Sequence, residues 1–146
     1  MEDLSLHILD IVENSIHANA KKIIIKVDED IKNDKLIIEI VDDGEGMDKK
    51  EVKEALDPFY TTKDKKVGLG LSLLKQSVDE AEGNLYITTE KGKGMVVRAE
   101  FKYSHIDRKP IGDLDETVNV LILTHPEIRF EFIHTKDGKE IKRINL

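Results

Sequence analysis

The sequence predicts an α+β fold: a two-layer α/β sandwich whose mixed, mostly antiparallel sheet carries its helices on one face. Two observations lead there. β-Branched runs of strand length recur in pairs around short polar turns, and stretches with apolar residues at helical spacing lie before, between and after those pairs.

Leu4 to about Asn19 reads as the opening helix. Residues three, four and seven apart share a helix face, so Ile8, Val12 and Ile16 form an apolar line, while Asp10, Glu13, Asn14 and His17 form a polar stripe. The stripe lacks alternation of Lys and Glu, which marks it as an edge that faces a ligand. Lys22 to Asp28 and Lys35 to Val41 are strands of a hairpin around Asn33-Asp34. Asp42-Asp43-Gly44-Glu45-Gly46 follows directly, and glycines at that spacing let the backbone bend closely round a ligand.

Asp48 caps a short helix to about Leu56, which Asp57-Pro58 stops. Pro58 to Val67 is a loop carrying Thr61, Thr62, Lys63, Lys65 and Lys66, with Phe59 and Tyr60 expected as loop aromatics pinned on the core. Gly68-Leu69-Gly70 leads into a helix from about Leu71 to Ala81, with Leu74 and Val78 on its core stripe and Gly83 ending it. Leu85 to Thr89 and Met95 to Tyr103 are two strands around Gly92-Lys93-Gly94.

Ser104 to Gly112, with Pro110, reads as a linker. Beyond it, Asp113 to His125 is amphipathic, with Leu114, Val118, Leu121 and Ile122 on one side. Ile128 to His134 and Glu140 to Ile144 then flank Lys136-Asp137-Gly138-Lys139, a hairpin signal. The expected organisation is a domain over residues 1–103, a linker over 104–112, and a helix-plus-hairpin appendage over 113–146, too small to stand by itself.

Composition narrows the function. The 146 residues are one domain's worth, 39% hydrophobic and 36% charged, and the net charge of -7 argues against a general nucleic-acid or anionic-membrane binder. The chain has no apolar run long enough to span a bilayer, and Met1-Glu2-Asp3 lacks the basic start of a secretory signal, so the expected compartment is the cytoplasm. Cysteine is absent, which removes disulfides and thiolate chemistry. The five histidines show no ligand spacing, so no structural metal is expected; His7 and His134 read as surface residues, while His17 shares the stripe with Asn14.

Four features stand in one order: a helix bearing Asp10-x-x-Glu13-Asn14, a strand ending in Asp42-x-Gly44-x-Gly46, the loop Pro58-Phe59-Tyr60-Thr61-Thr62-Lys63, and Gly68-Leu69-Gly70-Leu71. Each makes physical sense at a nucleotide site. Asn14 offers a neutral amide suited to a Mg²⁺ that keeps several waters and shares phosphate oxygens. Asp42 ends a strand, where a carboxylate can accept from an amino group while Gly44 and Gly46 let the backbone pass close. Gly68 and Gly70 open a helix whose exposed amides favour phosphate, and Lys63 adds charge there.

In this order and spacing the chain, over about residues 5 to 103, resembles the GHKL superfamily of ATPases. That superfamily, built on the Bergerat ATP-binding fold, contains gyrase B, heat-shock chaperones, histidine kinases and MutL proteins. The resemblance implies ATP and Mg²⁺ as cofactors, with Asn14 on the metal and Asp42 reading adenine. It implies further nucleotide contacts from His17, Gly44, Gly46, Met47, Thr62, Lys63, Gly68, Leu69 and Gly70. One departure stands out: relatives usually carry Thr after the last Gly-x-Gly, supporting the adenine contact, and here Met95 follows Gly92-Lys93-Gly94.

The position four before the metal Asn discriminates among branches: histidine kinases usually carry Asn there, whereas the hydrolases and serine kinases carry a carboxylate as general base. Asp10 fits the second pattern, since water or a serine hydroxyl must lose a proton on attack and a neutral imidazole need not. Glu13, one turn on, is the rival or tuning partner. The Pro-Phe-Tyr-Thr-Thr-Lys and Gly-Leu-Gly-Leu motifs look most like those of histidine kinases, and Glu-Asn-Ser-Ile-x-Ala-x-Ala is similar to MutL. Only nine residues precede Asp10, which leaves no room for a phosphoacceptor segment, so the expectation is a stand-alone domain whose protein partner or phosphoacceptor is supplied in trans. The expected activity is slow ATP hydrolysis or γ-phosphate transfer to a partner's hydroxyl. The alternatives are a non-catalytic ATP-dependent switch and, behind it, a histidine kinase catalytic domain acting in trans. Relatives often dimerise through an N-terminal arm; Met1 to Ser5 is short for one, so a homodimer stays open.

Overall fold

The computed structural model describes residues 3–59 and 70–145. The chain runs α1 (Leu4–His17), β1 (Lys22–Asp30), a 3-10 turn (Ile31–Asn33), β2 (Lys35–Asp42), α2 (Lys49–Leu56), α3 (Gly70–Glu80), β3 (Asn84–Thr89), β4 (Met95–Lys102), α4 (Leu114–Thr124), β5 (Arg129–Lys136) and β6 (Lys139–Asn145). The strands form one mixed sheet in the order β3-β4-β2-β1-β5-β6. Every neighbouring pair is antiparallel except β1 and β5, which run parallel from Lys22 opposite Arg129 to Glu29 opposite Lys136.

Period-two alternation explains the two layers. Ile23, Ile25 and Val27 on β1, Leu36, Ile38 and Ile40 on β2, and Phe130 and Phe132 on β5 all turn to one face and are buried. Helix α1 lies in the middle of the helix layer, packed between α3 and α4, and closes this face with Leu4, Ile8 and Val12. The opposite face carries cross-strand charges, with Glu39 against Lys26 and Arg98, and Glu131 against Arg143.

Caps set the helix starts. Asp3, Asp48 and Asp113 each accept a backbone N–H in the first turn, from Leu6, Glu51 and Glu116, and Asp48 with Glu51 forms a full capping box. The stretch read as a linker has a job at the start of α1: the carbonyls of Pro110 and Ile111 accept the N–H groups of Leu4 at 2.8 Å and Ser5 at 2.9 Å, donors that a first helical turn otherwise leaves without partners. The C-terminal segment adds its strands to the same sheet beside β1, and Leu114, Val118, Leu121, Phe130 and Phe132 join the single core.

Three expectations are corrected. His7 is 2% exposed rather than on the surface, because position 7 of α1 turns towards the sheet and α3. His134 stands beside Glu29 on the buried side of the sheet, its Nε2 at 2.7 Å from Oε2 of that carboxylate. Phe59 is 88% exposed and is not pinned on the core. Tyr60 lies outside the described residues.

Phe132, 0% exposed on β5, tests whether the C-terminal strands share the core. Phe132→Ala is expected to cost roughly 3–5 kcal/mol. Denaturant unfolding followed by circular dichroism should show one transition at a lower midpoint, not loss of a separate minor phase.

Candidate functional site

Helix α1, the turn after β2 and the start of β4 wall a cleft at one end of the sheet. Its apolar lining is Ile11, Ala18, Met47, Leu71 and Met95; its polar lining is Asn14, Ser15, His17, Asp42, Glu45, Gly46 and Glu51.

Asp42 is the last residue of β2, and two elements fix its carboxylate. Ser15 Oγ donates to Oδ2 at 2.6 Å, and the Gly44 N–H donates to Oδ1 at 2.9 Å. The turn that follows lies hard against the end of α1: the Ala18 carbonyl accepts from the Glu45 N–H at 2.8 Å, and Asn19 Nδ2 donates to Glu45 Oε1 at 2.7 Å. Gly44 is buried there, and a Cβ on it would come within 2.7 Å of the Ala18 carbonyl oxygen. Gly46 has φ +69, and a Cβ on it would meet the Glu90 carbonyl at 2.0 Å. Both positions therefore require glycine.

Met95 pairs across the sheet with Asp42 on one side and with Thr89 on the other. The missing hydroxyl at position 95 has a neighbour on each flank. Thr89 Oγ1 accepts from the Met47 N–H at 3.0 Å and donates to the Gly94 carbonyl at 2.7 Å, tying the cleft loop to the β3–β4 turn, while Ser15 reaches Asp42.

At the other end of the cleft Asn14 Nδ2 is buried with no hydrogen-bond partner among the described residues. Gly70, the buried first residue of α3, rests on the polar stripe: a Cβ on it would lie 3.2 Å from Asp10 Cβ and 3.5 Å from Asn14 Nδ2. Asp43 turns away from the cleft, its Oδ1 accepting the N–H groups of Lys21 at 2.7 Å and Lys22 at 3.0 Å at the start of β1. Those donors, Lys22 first, hold its carboxyl below the ordinary carboxylate value.

The structure thus brings Asn14, His17, Asp42, Gly46 and Met47 to one cleft, with Gly44 buried behind it and Gly70 at its edge. Asp10 stands beside Gly70, and neither it nor Glu13 is among the described lining residues. Thr62, Lys63, Gly68 and Leu69 lie outside the described residues. Sequence reasoning passed over Ser15 and Thr89. The signal for Ser15 is the line Ile11, Ser15, Ala18, spaced four and three apart between the apolar and polar stripes of α1.

A mixed sheet with its helices on one face and a cleft between α1 and the turn after β2 is the architecture of a Bergerat-type domain. The chain belongs to the histidine kinase-, DNA gyrase B- and HSP90-like ATPase family, whose model matches residues 2–105. Sporulation kinase C of Bacillus subtilis is 34% identical over 88 residues, covering 60% of this chain and 21% of that protein. The sensor histidine kinase ZraS of Salmonella typhimurium is 29% identical over 90 residues, covering 61% of this chain and 19% of that protein. The chain therefore spans about a fifth of the length of these relatives. Among solved structures, the ATPase domain of Aquifex aeolicus MutL, complexed with ADP, superposes with TM-score 0.58 at 17% identity over 99% of this chain and 64% of that one. The catalytic domain of histidine kinase ThkA gives 0.55 at 24% identity over 70% and 68%. These two share the fold. The chain is an ATP-binding domain of this histidine-kinase-like family.

Because the Asp43 carboxyl is held low only when folded, its contribution to stability is complete above its unfolded value and is lost as pH falls through the folded one. Asp43→Asn is expected to lower stability at neutral pH and to flatten the loss of stability in this acid range, as read from denaturant midpoints between neutral and acidic pH.

Proposed function

We propose that this domain binds Mg-ATP in the cleft and either hydrolyses it slowly or passes the γ-phosphate to a hydroxyl of a partner protein supplied in trans. The observation that carries the reading is a pair lining one cleft: a carboxylate fixed as an acceptor at Asp42, and a buried amide nitrogen at Asn14 with no hydrogen-bond partner among the described residues. Adenine's amino group fits the first. The Asn14 amide nitrogen is a donor and fits a phosphate oxygen, while the oxygen of the same carboxamide would fit a cation that keeps several waters and shares phosphate oxygens, the coordination Mg²⁺ prefers. When bound, Mg²⁺ neutralises charge on the phosphate oxygens.

The apolar lining of Ile11, Ala18, Leu71 and Met95 takes the base, and Met47 closes over it. His17, on the cleft wall one turn from Asn14, faces the phosphate end with the α3 N-terminus at Gly70. Asp10 is the general base. It takes the proton of the attacking water or hydroxyl as the new oxygen–phosphorus bond forms, and ADP leaves with the electron pair of the bond that breaks. Glu13 is the nearby carboxylate that tunes it.

A second reading is favoured by the place of Asp10 beside Gly70, off the described cleft wall. There the bound nucleotide acts as a switch, and a partner reads the bound state without turnover.

Isothermal titration with ATP and Mg²⁺ tests the site, and absence of heat from folded protein overturns it. Asp10→Asn should leave binding intact and reduce phosphate release or transfer by about 100-fold or more, the range of a lost general base. Binding without turnover in wild type, alone or with any partner, moves the assignment to the switch.

A further inference from the structure

Ser15 has no part in the reading above, yet its geometry is specific. It is 3% exposed on α1, and its hydroxyl has two acceptors in range: Asp42 Oδ2 at 2.6 Å and the Ile11 carbonyl at 3.4 Å. A serine has one proton, and the shorter contact takes it. The Gly44 N–H holds the other oxygen at 2.9 Å. The terminal torsion of an aspartate is broad and roughly two-fold when unrestrained. Donors from two elements, one on each oxygen, confine it to a single plane.

We propose that Ser15 is the positioning residue for base recognition: by holding the Asp42 carboxylate, it sets the preference of the cleft for a 6-aminopurine over a 6-oxopurine nucleotide. The inference rests on the reading that Asp42 meets the base of ATP. With one lone pair on each oxygen used, the carboxylate offers the cleft only acceptor sites in a fixed direction. An amino group at purine C6 donates to it, whereas a carbonyl there sets lone pairs against lone pairs with no proton between them.

The neighbouring groups leave this role to Ser15. Met95, opposite Asp42 in register, brings a thioether with no proton to give. The Thr89 hydroxyl is engaged on both sides, accepting from Met47 and donating to Gly94. Ser15 therefore does from the helix side what a hydroxyl at position 95 would do from the strand side.

The test compares ATP, ITP and tripolyphosphate, each with Mg²⁺, by isothermal titration. ITP carries a carbonyl at C6, and tripolyphosphate has no base. Wild type should prefer ATP to ITP. In Ser15→Ala, ATP affinity should fall about tenfold, the scale of a lost hydrogen bond to a charged group, while ITP and tripolyphosphate change by less than about twofold. Unchanged tripolyphosphate binding also reports that the variant has folded. In an Asp42→Asn background, Ser15→Ala should add less than about a twofold change.

A parallel loss for all three ligands overturns the inference, because a packing defect would do that. So does a Ser15→Ala protein that keeps the wild-type preference, or a wild type with none. If folded wild type binds no ATP at all, the underlying reading fails as well. If wild type discriminates and the variant discriminates equally, Ser15 alone fails.

Discussion

Everything at the cleft depends on one close approach. The carbonyl of Ala18, just past the end of α1, touches the backbone of the turn after β2: it accepts the Glu45 N–H at 2.8 Å, and a side chain at Gly44 would come within 2.7 Å of the same oxygen. No real Cβ sits that near an oxygen. The missing side chain therefore sets how far α1 slides along β2. From that height Ser15, one turn back, reaches Asp42, and Asn14 comes to the cleft wall. Gly70, with no Cβ, then lets the start of α3 settle on Asp10 and Asn14.

The two ends of the sheet treat polar groups differently. The cleft end leaves an amide nitrogen without a partner among the described residues, a costly state inside a protein and one that a ligand relieves. The far end is closed. Glu29, 8% exposed, accepts the Tyr103 hydroxyl at 3.0 Å and meets His134 Nε2 at 2.7 Å, so a single carboxylate joins β1, β5 and the residue after β4. Burial and that carboxylate push the Tyr103 hydroxyl above its ordinary value. Arg108 covers the ring at 4.8 Å and donates to the Tyr103 carbonyl, which seals the segment leading to α4.

Secondary structure was legible because its signals are local. The Asp48 cap, the β-branched runs at Lys22 and Lys35, and the core stripe of Leu74 and Val78 each specify an element within a few residues of themselves. What depends on a partner far along the chain was not legible. His134 reads as a surface residue until Glu29, on a strand about a hundred residues earlier, is beside it. Phe59 reads as a loop aromatic pinned on the core but is 88% exposed. Asp42 and Asn14 announced themselves as charged or amide groups at motif spacing. Ser15 and Thr89 are small hydroxyl residues of types found everywhere, and only their hydrogen bonds distinguish them.

The parallel pairing of β1 with β5 bears on the order of assembly. β1 can zip to β2 across a short turn as soon as both exist, but its other edge must wait for β5, and closing that ring of about a hundred residues is the slowest contact topology in the sheet. Until then a strand near the middle of the finished sheet is an edge strand, with a row of unpaired amides and carbonyls open to any extended chain. Lys22, Lys26 and Asp28 interrupt the isoleucines along it. Charges that in the native state decorate the uncovered face thus also guard the nascent chain against pairing with its neighbours before its own last strands arrive.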